Sequence, residues 1–196
     1  MLAALLAVIA GVATAAQLAG QERPDRRGIE MSLGVGVGSL GTSCDSCRGG
    51  GGGGRARQSG AAVHLWVGAP VGPDLLLGFD VVRWSTPQRD TGVALSVFTV
   101  SADYYPLPRS RWFVSGGLGV SSYAITPSLP SIGLGLSIGT GIDIRVAHNL
   151  SLTPLAQVLW GTPRDVKDNE QLVFARGLEP GLVVIDLNAS FHLRHP

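Results

Sequence analysis

The sequence predicts an all-β protein, an eight-stranded antiparallel up-and-down transmembrane β-barrel. Three features predict this fold: stretches in which apolar residues alternate with glycine and polar residues, the even number of these stretches, and a regular succession of short and long connections. Successive side chains of a strand point to opposite faces, so each stretch has one apolar face. The stretches have roughly the length of a tilted strand that crosses a bilayer, about 9 to 11 residues.

The composition agrees with this fold class and excludes others. Of the 196 residues, 15 are basic and 14 acidic, so the chain offers no basic surface for nucleic acid. Charged residues make up 15% of the chain, whereas soluble domains have about 25%. No interior run reaches the roughly 18 apolar residues that a membrane helix requires. The length allows one domain or at most two.

The N-terminal residues 1–16, "MLAALLAVIAGVATAA", predict a signal peptide, because an apolar stretch ends in small residues and Ala13-Thr14-Ala15 fits the cleavage pattern. An uncleaved anchor helix is the less favoured alternative, since the apolar stretch is short and a polar linker follows it at 17–28. We assign the barrel to residues 29–193 and a tail to 194–196.

The first four strands are predicted at 29–39, 61–69, 75–84 and 93–105. In the first three, apolar residues occupy most odd positions, and the opposite face carries Glu30, Ser32, Gly34 and Gly36, then His64 and Trp66, then Gly78 and Asp80. The fourth is ambiguous at its start, where either set of positions could be apolar; Asp103 lies in its polar end.

The second four strands alternate in the same way, although Pro154 lies within the seventh and Pro180 just before the eighth. Pro154 and Pro180 cannot donate a ladder hydrogen bond, and we expect both near strand ends. These four strands are predicted at 112–123, 133–146, 150–160 and 182–193.

The connections alternate short and long, as in a barrel with short periplasmic turns and long external loops. Both chain ends then lie on the short-turn side. A soluble barrel would need a charged outer coat, but the less apolar face here is mainly glycine and serine. We therefore expect the aliphatic face to meet lipid, with small and polar residues filling the interior.

Aromatic residues near the strand ends predict two girdles, one at each membrane interface. The alternative is that aromatics simply favour strands. The predicted girdle residues are Trp84, Tyr104, Trp112, Tyr123, Trp160 and Phe191.

On these patterns, residues 29–193 resemble the small eight-stranded outer-membrane barrels of the OmpA/OmpX type, within the porin-like outer-membrane β-barrel group. The resemblance implies a cell outer membrane location, contact with outer-membrane lipid and with the assembly machinery, and a monomer. In that group the closing strand usually ends the chain on an aromatic residue. Phe191 could serve here, although His192 to Pro196 follow it.

The cysteines Cys44 and Cys47 stand in the first long loop, where an oxidising exterior favours a local disulfide. A zinc site would need further ligands, of which His64, expected near the outer end of the second strand, is the nearby candidate. A thioredoxin-like redox site would need a helix N-terminus, and the glycine run 49–54 offers none.

Four charged residues are expected to point inward near the periplasmic end, where buried charges must pair. We predict a carboxylate network centred on the arginine, which plugs the barrel or, alternatively, gates a small pore. The four are Glu30, Asp103, Asp143 and Arg145.

A hydrolase is disfavoured. Ser190, His192 and Asp186 share one strand face, but Asp186 and His192 are roughly 20 Å apart along an extended strand. The sequence therefore predicts a non-enzymatic barrel without a cofactor, in a structural or surface-display role such as adhesion or envelope integrity. A narrow channel or hydrophobic-solute conduit is the alternative, and a lipid A-modifying enzyme ranks third.

Overall fold

The protein is a closed barrel of eight long strands in a computed structural model, which describes residues 28–43, 46–47, 56–86, 92–107, 110–125, 130–163, 166–167, 173–176 and 179–193. The strands are β1 (Ile29–Ser43), β2 (Ala56–Pro70), β3 (Leu75–Ser85), β4 (Val93–Tyr104), β5 (Trp112–Ile125), β6 (Ser131–Ile142), β7 (Leu150–Pro163) and β8 (Glu179–Leu193).

Each strand pairs antiparallel with its sequence neighbour, and β8 also pairs with β1. The closing register runs the full length of both strands, from Ile29 opposite Leu193 to Ser43 opposite Glu179. Because the first and last strands meet, the sheet has no free edge along the barrel. The predicted eight-stranded antiparallel up-and-down barrel is confirmed.

The barrel has two unlike ends. The short-turn end carries the chain ends of β1 and β8 and the connections at 71–74, 105–111 and 148–149. The long-loop end carries the other four connections. There, a three-stranded sheet of Val166–Lys167, Val173–Arg176 and Ser46–Cys47 joins the β7–β8 connection to the β1–β2 connection.

The outer wall is aliphatic, as the alternation predicts. Val35, at the middle of β1, is 67% exposed, and its neighbours in the register are Val63 on β2 and Leu187 on β8. Exposed apolar side chains continue around the barrel on the other strands. Examples are Met31, Leu33, Val37, Leu65, Leu77, Phe79, Phe98, Val100, Leu118, Val120, Leu134, Leu136, Ile138, Val183 and Ile185.

The interior has two halves of different chemistry. The long-loop half is an apolar plug in which Trp84, Leu95 and Leu159 are fully buried. The short-turn half is mainly polar and contains buried carboxylates, imidazoles and hydroxyls. The expectation of a small and polar interior is therefore wrong for the long-loop half. The phase of β4 is also fixed, because its odd positions, such as Leu95, point inward.

Interior glycines make room for the large interior side chains. A Cβ added to Gly38 would lie 2.9 Å from Cδ1 of Trp84, whose indole nitrogen donates a 3.2 Å hydrogen bond to the Gly38 carbonyl. Trp66 lies in the same way against Gly68 and Gly78. The bare face of the sheet is thus filled by large side chains from the same strand or from nearby strands on the same side of the barrel.

Two predicted girdle residues are in fact inside. Trp84 is 0% exposed and Tyr123 is 4% exposed, and both belong to the apolar plug. Each lies on the inward parity of its strand, so nearness to a strand end did not decide its direction. Tyr104, Trp160 and Phe191 are on the outer wall, and Trp112 is partly buried, with its indole nitrogen donating to Thr140.

The predicted sixth strand is interrupted near Pro154. β6 ends at Ile142, and a short strand resumes at Ile144–Ala147. The break faces Pro154, which lies inside β7 rather than near its end and has no amide hydrogen for the ladder. The Asp143 amide instead donates to the Arg111 carbonyl, 3.1 Å away.

Several predicted segments lie outside the described residues: 1–16, most of the 17–28 linker, 194–196 and Cys44 with its proposed disulfide. They stay predictions. Gly28, which precedes β1, has a φ of 103°, a left-handed conformation that favours glycine. No helix among the described residues is long and apolar enough to cross a lipid bilayer.

Candidate functional site inside the barrel

His64 lies at the centre of a buried polar network. Its Nε2 is 2.7 Å from Oδ1 of Asp80 on β3, and its Nδ1 is 3.3 Å from Oδ2 of Asp186 on β8. The side chain is on the inward parity of β2 and only 4% of the residue is exposed. These contacts have ion-pair length but lack the angles of aligned hydrogen bonds.

Asp186 extends the network to β7. The Gln157 amide donates to Asp186 Oδ2 over 3.0 Å, and the Asn188 amide donates to Asp186 Oδ1 over 2.7 Å. On β1, which lies between β2 and β8, this level is occupied by Gly34 and Gly36. Added Cβ atoms there would collide with Asn188 and Asp186, so the glycines let the network bridge β2 and β8 across β1.

A second cluster joins β1, β7 and β8 at the short-turn end. His192 Nδ1 is 3.3 Å from Oε2 of Glu30, and His192 Nε2 is 3.3 Å from the Ser151 hydroxyl. The order hydroxyl, imidazole, carboxylate is that of a serine hydrolase. Ser151 is only 1% exposed, so a substrate carbonyl has no access to its oxygen. The cluster therefore ties the closing strands together.

A third chain of hydrogen bonds lies next to this one. Tyr105 and Thr153 each donate a 2.9 Å hydrogen bond to the Asp143 carboxylate. Thr153 is also 3.4 Å from the Ser190 hydroxyl, which donates to Ser32 over 3.1 Å. The chain connects the β4–β5 turn with β7, β8 and β1.

These clusters surround a cavity of about 40 Å³ in the short-turn half. That volume has room for about three water molecules. Among the described residues, no group of three or more His, Cys, Asp and Glu side chains is arranged to hold a metal ion. The cavity is lined by Glu30, Ser32, His64, Trp66, Asp80, Asp103, Tyr105, Phe113, Ser115, Asp143, Thr153, Leu155, Asn188 and Ser190.

The fold is similar to those of solved outer-membrane proteins. Neisserial surface protein A, NspA, is 15% identical with a TM-score of 0.56, over 83% of this chain and 97% of that one. Ail, the attachment invasion locus protein of Yersinia pestis, is 11% identical with a TM-score of 0.50, over 84% and 99%. AlkL, solved in lipid bilayers, is 12% identical with a TM-score of 0.50, over 91% and 97%.

The chain has the fold of the small eight-stranded outer-membrane barrels. No protein-family model and no curated protein matches its sequence. At these identities, the likeness to the solved outer-membrane barrels concerns the fold alone.

Of the four predicted network residues, three line the cavity of this small barrel: Glu30, Asp103 and Asp143. Arg145 does not centre the network, so that prediction is wrong. Its guanidinium is exposed, donating to the carbonyls of Ala147 and His148 over 3.3 and 2.9 Å. Arg145 follows the strand break and reaches its own turn, where water can solvate it.

Sequence reasoning missed the residues at the centre of the network. His64 was expected near the outer end of β2 as a zinc-ligand candidate, but it lies in the middle of the barrel between two carboxylates. The available signal was parity, because His64, Asp80 and Asp186 each fall on the polar face of a predicted strand. Which polar residues meet depends on register, which alternation does not contain.

Proposed function

We propose that the protein spans the cell outer membrane as a monomeric barrel and has a non-enzymatic structural or surface-display role. The observation that carries this proposal is the closed barrel with an exposed aliphatic wall. In water such a wall would expose a large apolar surface without a partner. In a bilayer it meets acyl chains, while barrel closure pairs the backbone groups of the strands.

The interior supports an anchoring role rather than conduction. Trp84, Leu159 and Leu182 are fully buried within the apolar plug, across the long-loop half of the lumen. Eight strands enclose an interior just wide enough for side chains to fill. A channel would require the plug to move.

The ends of the barrel suggest its orientation. β1 begins and β8 ends at the short-turn end, which suits a chain delivered from the periplasm by the assembly machinery. The long loops, including the regions around Cys44, Asp90 and Lys167, would then be displayed outside for adhesion or envelope contact. Ail, whose name refers to attachment and invasion, has a similar fold.

Membrane fractionation followed by electrophoresis tests the proposal. We expect the protein in the outer-membrane fraction, with unheated samples migrating differently from boiled ones because the barrel resists detergent until heated. A soluble protein without a heat-dependent shift would refute the membrane barrel. On the inserted protein, conductance across a planar bilayer would refute the plugged interior, and fatty-acid release from labelled lipid A would refute the non-enzymatic role.

A further inference from the structure

The aliphatic outer wall has a polar notch on one side of the long-loop end, formed by Arg83, Ser96 and Ser122. The three residues are direct neighbours in the register of β3, β4 and β5. All three are on the outward parity of their strands, where the apolar wall would otherwise continue; Arg83 is exposed, Ser122 is half-buried, and Ser96, which the Arg83 guanidinium contacts, is buried.

The change from polar to apolar residues at the edge of the notch takes place within two positions along each strand. Two residues closer to the short-turn end, the same three strands carry Val81, Phe98 and Val120, which are also register neighbours. Two residues along a strand span about 7 Å. On these three strands the notch therefore lies one step beyond the apolar residues, while Val63 on β2 and Ile132 on β6, the register neighbours of Arg83 and Ser122, continue the apolar wall on either side of it.

The notch has the donors that an oxyanion requires. Arg83 is exposed, and among the described residues its guanidinium contacts the Ser96 hydroxyl, from Nη1 at 3.5 Å. A guanidinium has five N–H donors in a planar fork that matches phosphate oxygens. Ser122, one strand further along, adds a hydroxyl about 5 Å from the Ser96 position.

We propose that this notch binds the phosphate group of a lipid headgroup in the leaflet at the long-loop end. The inference rests on the proposed membrane location. A lipid fits better than a free phosphate ion, because its acyl chains would lie along Val81, Phe98 and Val120 while its phosphate reaches Arg83. A basic side chain at this depth is also attracted to the negative surface of an anionic leaflet.

The test uses the full chain inserted into nanodiscs of phosphatidylcholine with a minor fraction of phosphatidic acid. Native mass spectrometry measures how much phosphatidic acid stays bound after the disc is removed. We expect R83Q to lower this retention about tenfold, as for loss of a charge-assisted phosphate contact. R83K, which keeps a point charge but loses the fork, should fall in between. R145Q, an exposed arginine at the opposite end, is the matched control.

The outcomes separate this inference from the proposed function. Heat-dependent migration of the same samples reports insertion, and its absence in the wild type would refute the membrane barrel itself. If the barrel inserts but R83Q retains as much phosphatidic acid as the wild type, or R145Q loses as much as R83Q, the notch is not the site. If inorganic phosphate abolishes retention at millimolar concentration, the notch is an ion site rather than a lipid site.

Discussion

His64 is held between two carboxylates from different strands, and its removal would leave Asp80 and Asp186 buried without their shared imidazole. Breaking a buried pair by deleting one partner costs about 3 to 5 kcal/mol. We therefore expect H64A to lower the free energy of unfolding by that order, measured by urea unfolding of the refolded barrel in vesicles.

A second substitution separates the cost of the unpaired buried carboxylates from the other effects of H64A. Adding D80N to H64A removes one of the two orphaned carboxylates, so the double variant should regain part of the stability. H148A changes an exposed histidine in a turn and should leave the free energy of unfolding nearly unchanged. Equal small effects for H64A and H148A would contradict the role given to His64.

The pairing of interior glycines with large side chains gives another prediction at the residue scale. G38A would place a Cβ 2.9 Å from Trp84 and 3.0 Å from the Val183 carbonyl. Overpacking of this kind costs about 1 to 3 kcal/mol. Gly41 on the same strand has its nearest atom at 3.8 Å, so G41A should be neutral in the same unfolding assay. A stable G38A barrel would show that the interior can shift.

At the scale of the strand, the sequence predicts faces well and contacts poorly. Alternation is a local property, and it correctly indicates that Val35 points outward and Asp186 inward. Contacts depend on register between strands far apart in sequence. Arg145 was expected to reach the carboxylates because it shares a parity with Asp143, but the break near Pro154 leads its side chain back to its own turn.

Because the strand break leaves Asp143 inside the barrel and Arg145 at its surface, we expect substitutions of the two residues to differ in their cost in stability. Asp143 accepts hydrogen bonds from Tyr105 and Thr153 inside the barrel, so D143A leaves two buried hydroxyls without that acceptor. We expect a loss of about 1 to 3 kcal/mol in the free energy of unfolding. R145A removes exposed contacts and should cost less than about 1 kcal/mol. A larger loss for R145A than for D143A would restore the arginine-centred network.

Two of the predicted girdle residues show that position along a strand does not determine the direction of a side chain. Trp84 and Tyr123 lie near strand ends, as girdle residues do, but both have inward parity. The Trp84 ring fits because β1 and β2 offer glycine beside it, at Gly38 and Gly60. This fit depends on which residues of neighbouring strands lie side by side, so position along a strand could not reveal it.

At the scale of the whole molecule, the aliphatic outer wall predicts how much stability the barrel loses when an outward residue is replaced by a charged one. Val35 lies mid-strand on the exposed wall, and Ile29 lies on the same face at the rim. In a transmembrane barrel an outward arginine costs about 2 to 4 kcal/mol at the bilayer midplane and about 0 to 1 near the interface. We expect V35R and I29R to show this difference in urea unfolding from vesicles.

The comparison is decisive because both variants change an exposed aliphatic residue of β1 to the same charged one. If the wall faced water, neither arginine would be desolvated and both should be nearly neutral. The same proteins in detergent micelles provide a further control, since a micelle adapts around a charge more readily than a bilayer of fixed thickness. A depth-dependent cost in vesicles that shrinks in micelles is therefore the expected signature of strands embedded in lipid, and equal small costs in vesicles would contradict it.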